Sequence, residues 1–282
     1  MSFDYKSLSL SAVRSSIAYM DSVEVDNLWA NSSKDKQSVI FYVFQNVLQS
    51  PKYYCDYISD ANAYSWIQDR TLHVVFRGTS SNEDIKIDIN KIRAPLFNEN
   101  NKILVHQGFL KQFRGLETDI CDEITQNLEK VDTIHFSGHS LGAALATLAA
   151  GVFSKLLKND VCNKRVVCHT IGSSRIGNKG FVNWFEGKVD ESIRVLNFKD
   201  PIPLIPISVF YTHINGGLVL YEDGTIRTIK KDTPWYIRIL SLPFDIYYRN
   251  PFGNHSCNKY IERLIKLAEW DINCEFKNVN KD

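Results

Sequence analysis

Apolar and polar positions follow two different periods along the middle of the chain. Residues 132–137 and 165–171 are short runs rich in apolar and β-branched side chains, which predicts buried strands. Residues 108–130 repeat apolar positions at helical spacing, and residues 140–157 are apolar nearly all round, which predicts one amphipathic and one buried helix. Strands that alternate with helices predict the α/β class, with a mainly parallel central sheet and helices on both faces.

The same reasoning extends to both flanks of this region. Further helices are expected at 9–20, 36–49, 179–185 and 257–270, and further strands at 63–68, 71–77, 192–198, 218–221 and 225–229. Asp69-Arg70 and Glu222-Asp223-Gly224 separate neighbouring strands as hairpin turns. Because no repeat or low-complexity linker interrupts the sequence, we expect a single domain over residues 1–282.

One segment places a serine between two glycines, after a predicted strand and before a predicted helix: Gly138-His139-Ser140-Leu141-Gly142. That context is the one a nucleophile elbow requires, with the serine on a sharp strand-to-helix turn. Glycine lacks a Cβ, so the strand and the helix can approach each other closely. The alternative is structural, with Ser140 capping the helix and a glycine present for packing.

A serine nucleophile needs a histidine base and a carboxylate that orients it, in the chain order Ser, Asp or Glu, His on this type of fold. Of the histidines after Ser140, His169 lies inside a predicted strand and His213 in a segment of mixed character. His255 lies in a loop just before a helix, which is where such a base belongs.

Asp200 is the acid that the pattern favours, because it follows an apolar strand and Pro201 prevents the strand from continuing. Its alternative role is a turn-forming aspartate before proline. The other acids considered lie in polar turns and are expected to be solvated: Asp160, Asp190 and Asp223.

Two donors are also needed to stabilise the oxyanion of the tetrahedral intermediate. We expect the backbone N–H of Leu141 to be one of them, and Thr79, after the strand that ends near Arg77, to supply the other.

The net charge, the cysteines and the apolar runs of the chain argue against several classes of function. The chain of 282 residues has a formal net charge of +1, which gives no electrostatic footprint for nucleic acid. Its 6 cysteines include no Cys-x-x-Cys pair, so no zinc site is expected. No apolar run reaches membrane-spanning length, and the N-terminal residues contain no continuous apolar stretch typical of a secretory signal. These features predict a cytoplasmic chain with reduced thiols.

Six segments together resemble the fungal-type, or class 3, triacylglycerol lipases, in the same order along the chain. They are HVVFRGTSS (73–81), VHQGF (105–109), FSGHSLGAA (136–144), IGSSRIGN (171–178), FKDPIPLIP (198–206) and NHSCNKY (254–260). The resemblance implies an α/β-hydrolase fold, with Ser140 as nucleophile, Asp200 as acid, His255 as base and Thr79 as oxyanion residue. The chain departs from the family at Ile85, where the lid often has tryptophan, and at Asn254, where aspartate often precedes the histidine.

Two apolar segments are candidates for contact with a lipid substrate. Residues 81–92 fit a lid with Ile85 and Ile89 on an apolar face, although their spacing suits a helix or a strand. Residues 234–248 are rich in aromatic and aliphatic side chains, including Trp235 and Leu240, and form either an acyl-chain wall that touches a lipid surface or a core-packing excursion.

The sequence therefore predicts a serine ester hydrolase that cleaves lipid acyl esters through an acyl-enzyme, without a metal or organic cofactor. A phospholipase A1 or a carboxylesterase on the same scaffold is the alternative within the enzyme class. A catalytically inactive lipid-binding protein is the alternative outside it. All three predicted triad positions hold residues able to react, which favours an enzyme.

Overall fold

An eight-stranded sheet runs through the computed structural model of the chain, which describes residues 3–78, 92–159, 162–206, 209–229 and 253–270. Its strands lie in the order β1-β2-β3-β6-β9-β10-β11-β12. They are β1 Lys52–Asp56, β2 Ala61–Gln68, β3 Thr71–Phe76, β6 Thr133–His139, β9 Arg165–Ile171, β10 Glu191–Asn197, β11 Gly217–Leu220 and β12 Ile226–Ile229. Strands β3, β6, β9, β10 and β11 are parallel, while the outer strands pair antiparallel. Two small hairpins pair β4 (Arg93–Pro95) with β5 (Leu104–His106) and β7 (Lys158–Asn159) with β8 (Cys162–Asn163).

Helices cover both faces of this sheet. They are α1 Tyr5–Ile17, α2 Ser22–Asn31, α3 Val39–Phe44, α4 Gln107–Asn127, α5 Leu141–Leu157, α6 Lys179–Glu186 and α7 Cys257–Leu267. On one face, α4, α5 and α6 bury an apolar core against the sheet. On the other face, α1, α3 and α7 bury a second core. The chain therefore has the mainly parallel sheet, covered by helices on both faces, that the alternation of strands and helices predicts.

Local signals explain how well the element boundaries were predicted. The hairpin at Asp69 and Arg70 is confirmed, and both residues have positive φ, as a tight two-residue turn requires. The helix expected at 36–49 is wrong in length, because Ser38 caps its start and Asn46 turns the chain with φ 63°. Helix α2 and edge strand β1 are not predicted, because both are largely exposed and lack an apolar period.

A polar layer separates α1 from the sheet. Its centre is a row of three buried histidines on neighbouring strands, His73, His135 and His169. His73 Nδ1 lies 3.0 Å from His135 Nδ1, and His169 Nδ1 lies 2.9 Å from Ser11 Oγ on α1. Arg14, also on α1, bonds to Gln68 and is buried beside the row. Three imidazoles and a guanidinium thus share one buried interface.

Three further predictions concern the chain as a whole. In the ranges given above, no helix is both long and apolar enough to cross a membrane. Five of the cysteines fall in those ranges and are free thiols: Cys55, Cys121, Cys162, Cys168 and Cys257. That the whole sequence forms one domain stays a prediction.

Candidate active site

Ser140 occupies the turn between the end of β6 and the start of α5. Its backbone has φ 58° and ψ −123°, a strained conformation for a residue with a side chain. The turn is held where its N–H donates to the carbonyl of Ile171, at the carboxyl end of the neighbouring strand β9, at 3.0 Å. Backbone strain of this kind persists only when the surrounding structure fixes the conformation. The turn places Ser140 at the edge of the sheet, between the end of β6 and the start of α5.

The two flanking glycines are required by close backbone contacts. A Cβ on Gly138 would lie 2.4 Å from the carbonyl carbon of Gly142, and a Cβ on Gly142 would lie 2.2 Å from the carbonyl oxygen of Phe76. Both contacts are with backbone, which cannot move aside without displacing β3 or α5. The Gly-x-Ser-x-Gly spacing is thus the condition for packing α5 directly against the ends of β3 and β6.

Asp200 lies three residues beyond the end of β10, at the same edge. Its carboxylate is fully buried and is contacted by three donors. His255 Nδ1 lies 2.8 Å and the Tyr260 hydroxyl 2.6 Å from Oδ2, and the N–H of Ile202 donates to Oδ1 at 2.9 Å. A buried carboxylate with this many donors is held in one orientation.

His255 stands in the loop before α7, with its two ring nitrogens in different surroundings. Nδ1 faces Asp200, whereas Nε2 is buried and has no hydrogen-bond partner among the described residues. A Cβ at Gly172, which follows Ile171, would lie 3.2 Å from both Asp200 Oδ2 and His255 Cε1. The serine turn is hydrogen-bonded to Ile171 and the Asp200–His255 pair adjoins Gly172, so both lie at the carboxyl end of β9. The Ser140–His255 hydrogen bond is not formed here; such bonds are often long in free enzymes and tighten with substrate.

His139 supports the loop that carries His255. The Tyr19 hydroxyl lies 2.9 Å from His139 Nδ1, and His139 Nε2 lies 2.6 Å from the backbone carbonyl of His255. The two imidazole rings pack with centroids 4.5 Å apart. Burial, and secondarily the nearby His255, lowers the pKa of His139 well below its usual value, so this ring is neutral. Because a carbonyl can only accept, Nε2 carries the hydrogen and Nδ1 accepts from Tyr19.

Sequence reasoning did not find the supporting roles of Tyr19 and Tyr260. Tyr260 also accepts from the N–H of Asn197 at 2.9 Å, so one hydroxyl joins α7, the end of β10 and the acid. Asn254, where the resembling family often has aspartate, offers its backbone carbonyl to Asn197 Nδ2 at 3.0 Å. That hydrogen bond uses only the backbone of Asn254, so it does not depend on whether asparagine or aspartate stands at this position.

Of the two predicted oxyanion donors, Leu141 lies within the described residues and Thr79 lies outside them. Leu141 is the first residue of α5, where backbone N–H groups have no partner within the helix. Thr79 lies outside the described residues, but Gly78 before it runs beside the serine turn, since a Cβ there would lie 2.6 Å from the carbonyl of His139. The predicted substrate contacts also lie outside the described residues: Ile85, Ile89, Trp235 and Leu240.

The other histidines and acids considered for the catalytic site contact other groups. His169 contacts Ser11 and Glu191, and His213 Nε2 contacts the backbone carbonyl of Pro203. Asp223 accepts from the N–H of Thr225 in an exposed turn. Within the described ranges, no three histidine, cysteine or acidic side chains are grouped to hold a metal ion.

Comparison with known proteins shows that the chain is similar to lipases. The family model described as Lipase (class 3) matches residues 73–210, which include Ser140 and Asp200. The secreted mono- and diacylglycerol lipase 1 of Fusarium solani is 33% identical over 135 residues, 45% of this chain and 38% of that protein. The lipase of Rhizopus niveus is 29% identical over 162 residues, 54% of this chain and 40% of that protein. The chain thus matches less than half the length of these relatives.

A solved structure extends the similarity over most of the chain. The triacylglyceride lipase of Rhizomucor miehei superposes with a TM-score of 0.69 at 20% identity, covering 84% of this chain and 89% of that one. At this identity the match shows the fold alone, including parts outside residues 73–210.

The same relatives correct one prediction. The cytoplasmic location is wrong, because relatives from Fusarium solani and Gibberella zeae are named as secreted lipases. The prediction rested on the composition of the N-terminal residues, which does not determine where a protein works.

Proposed function

From the match of residues 73–210 to the class 3 lipase family model, we propose that the chain belongs to this family and hydrolyses lipid acyl esters through an acyl-enzyme on Ser140. The observation that carries the proposal is the meeting of a strained serine turn with a buried Asp200–His255 pair at one sheet edge. A serine alcohol is a weak nucleophile alone, and this pair supplies the base and the group that orients it.

Each residue has a defined part in the proposed reaction. Ser140 Oγ attacks the ester carbonyl carbon while its proton passes to His255 Nε2, the nitrogen left without a partner. Asp200 holds Nδ1–H and stabilises the imidazolium, and Tyr260 fixes the carboxylate. His255 then returns the proton to the leaving alcohol, which departs as the acyl-enzyme forms. Water, deprotonated by His255, releases the carboxylic acid and restores Ser140.

The tetrahedral intermediate places negative charge on the former carbonyl oxygen. The N–H of Leu141 at the start of α5 is the proposed first donor, aided by the positive end of the helix dipole. Thr79 is the proposed second donor. We propose that Ile85, Ile89, Trp235 and Leu240 line the path of the acyl chain, and that contact with a lipid surface brings the substrate to the site.

A fluorophosphonate probe tests the proposal, because it reacts only with an activated serine. We expect the wild-type protein to be labelled and to hydrolyse a short-chain ester. Ser140→Ala should lose labelling and lower turnover by about 10⁴-fold or more, with an unchanged unfolding temperature. Ser154→Ala, in the same helix, is the matched control and should be labelled normally. Labelling that persists in Ser140→Ala would place the nucleophile elsewhere.

A further inference from the structure

Exposed apolar side chains crowd the edge of the molecule that carries Ser140. Tyr57 and Ile58, at the tip of the β1–β2 turn, are 92% and 85% exposed. The register places this turn at the carboxyl end of β3, because Ala63 near the start of β2 pairs with Phe76. The turn therefore projects from the same edge as the serine.

The turn that carries Tyr57 and Ile58 is held rigidly. The Asp56 carboxylate accepts from the N–H groups of Ile58 and Ser59 at 3.3 and 3.1 Å. It also sits against α4, where a Cβ on Gly115 would lie 2.1 Å from its Oδ2. On the other side, Asp60 pairs with an Arg77 nitrogen, with N and O atoms 3.3 Å apart. These hydrogen bonds and this ion pair thus hold the turn in a conformation that exposes the side chains of Tyr57 and Ile58 to water.

A second exposed apolar group consists of Ile92, directly before β4, and of Val209 and Phe210, which follow Asp200 in the chain. Arg93 lies over the Phe210 ring at 5.3 Å, and the Tyr211 hydroxyl donates to the Ile92 carbonyl at 3.4 Å. In the strand order, β2 and β10 lie on opposite sides of β6, the strand that leads to Ser140. The Tyr57–Ile58 turn leads into β2, and the segment with Val209 and Phe210 follows β10, so these two segments adjoin strands on either side of the one that leads to Ser140.

We propose that the Tyr57–Ile58 turn is a lipid-surface anchor that inserts into the interfacial layer of an aggregated substrate and turns the Ser140 edge toward it. The proposal rests on the proposed function, since only a water-insoluble ester requires such docking. Tyrosine and aliphatic side chains favour the boundary between headgroups and acyl chains. A protein partner fits less well, because the two exposed apolar groups among the described residues are small and separate and fall short of a continuous interface, whereas one lipid surface can meet both.

The test compares two variants of the full chain by sedimentation with phosphatidylcholine vesicles. The first is Tyr57→Ser/Ile58→Ser. The second is the matched control Leu48→Ser, because Leu48 is 90% exposed and follows Asn46, which bonds to Asp69 at the opposite edge. All three positions are exposed, so the unfolding temperature should stay that of the wild type. Each protein is also assayed on a water-soluble short-chain ester and on a long-chain ester dispersed in the vesicles.

We expect the double variant to bind vesicles about tenfold or more weakly and to lose long-chain turnover in proportion. Its turnover of the soluble ester, and both properties of Leu48→Ser, should match the wild type. Equal vesicle binding by wild type and double variant, absence of wild-type binding, or equal weakening in Leu48→Ser would each overturn the anchor. Turn-dependent binding without any ester turnover by the wild type would support the anchor and refute the hydrolase.

Discussion

Acidification should destabilise the protein through the buried pair His73 and His135. Burial is the main reason that the pKa of each imidazole is lowered well below its usual value. The positive charge of Arg14 adds to this effect on both imidazoles. The pair shares one Nδ1···Nδ1 contact of 3.0 Å, so a second proton would set one N–H against another.

The sign and size follow from proton linkage. An unfolded histidine binds a proton with a pKa of about 6.5, whereas these two stay neutral when folded, so the unfolded state binds more protons below that pH. The free energy of unfolding should be flat above about pH 7.5 and should fall by up to about 1.4 kcal/mol per pH unit for each imidazole below pH 6.5. At pH 5 the loss is about 2 kcal/mol for one imidazole and about 4 kcal/mol for the pair, a large part of a typical stability of about 5–15 kcal/mol.

Urea unfolding followed by circular dichroism at several pH values between 5 and 8 measures this slope. We expect His73→Gln/His135→Gln to flatten it, whatever its effect on stability at pH 7.5. His213→Gln provides the control, because it removes one imidazole outside the cluster. If the wild type loses less than about 1 kcal/mol between pH 7.5 and 5, or if the double variant keeps the wild-type slope, these imidazoles are not the groups that take up protons.

Three further predictions concern the catalytic edge. Asp200→Asn should lower kcat by about 10⁴-fold, because the amide favours the wrong imidazole tautomer, while Asp223→Asn should stay near wild type; equal small losses would remove Asp200 from the mechanism. Tyr260→Phe should lower the free energy of unfolding by about 2 kcal/mol, since it removes a hydrogen bond to a buried carboxylate, and an unchanged denaturation midpoint would contradict this. Gly142→Ala should lower the free energy of unfolding by about 3 kcal/mol, because its Cβ meets the Phe76 carbonyl, and a soluble, normally stable variant would disprove that contact.

Sequence reasoning succeeds where one segment contains the whole signal. The strand, the two glycines and the apolar helix around Ser140 are contiguous, so the turn could be predicted from residues 133–157 alone. Asp200 could be singled out because an apolar strand ends shortly before it and a proline follows. His255 was distinguished from His169 only by the kind of element that carries it. The roles of all three residues stay predictions until they are tested in solution.

The supporting residues could not be found in this way. Tyr19 meets His139 across 120 positions, and no local pattern links a tyrosine after one helix to a histidine at the end of a distant strand. The polar layer beneath α1 was missed for a related reason. His73, His135 and His169 each look like an isolated polar residue within an apolar strand, and only the parallel register sets them side by side.

The packing of α1 against α7 has a consequence for how the protein is made. The Sγ of Cys257, on α7, lies 3.5 Å from the carbonyl of Ala12 on α1, and 245 positions separate them. At a synthesis rate of about 5–20 residues per second, roughly 12–50 s pass between the appearance of the first helix and that of its partner. During that interval α7 is not yet present to pack against the apolar face of α1, and His139 lacks its hydrogen bond to the His255 carbonyl. A nascent chain should therefore lack the proposed activity until α7 docks, so ester turnover during translation would report the completion of folding.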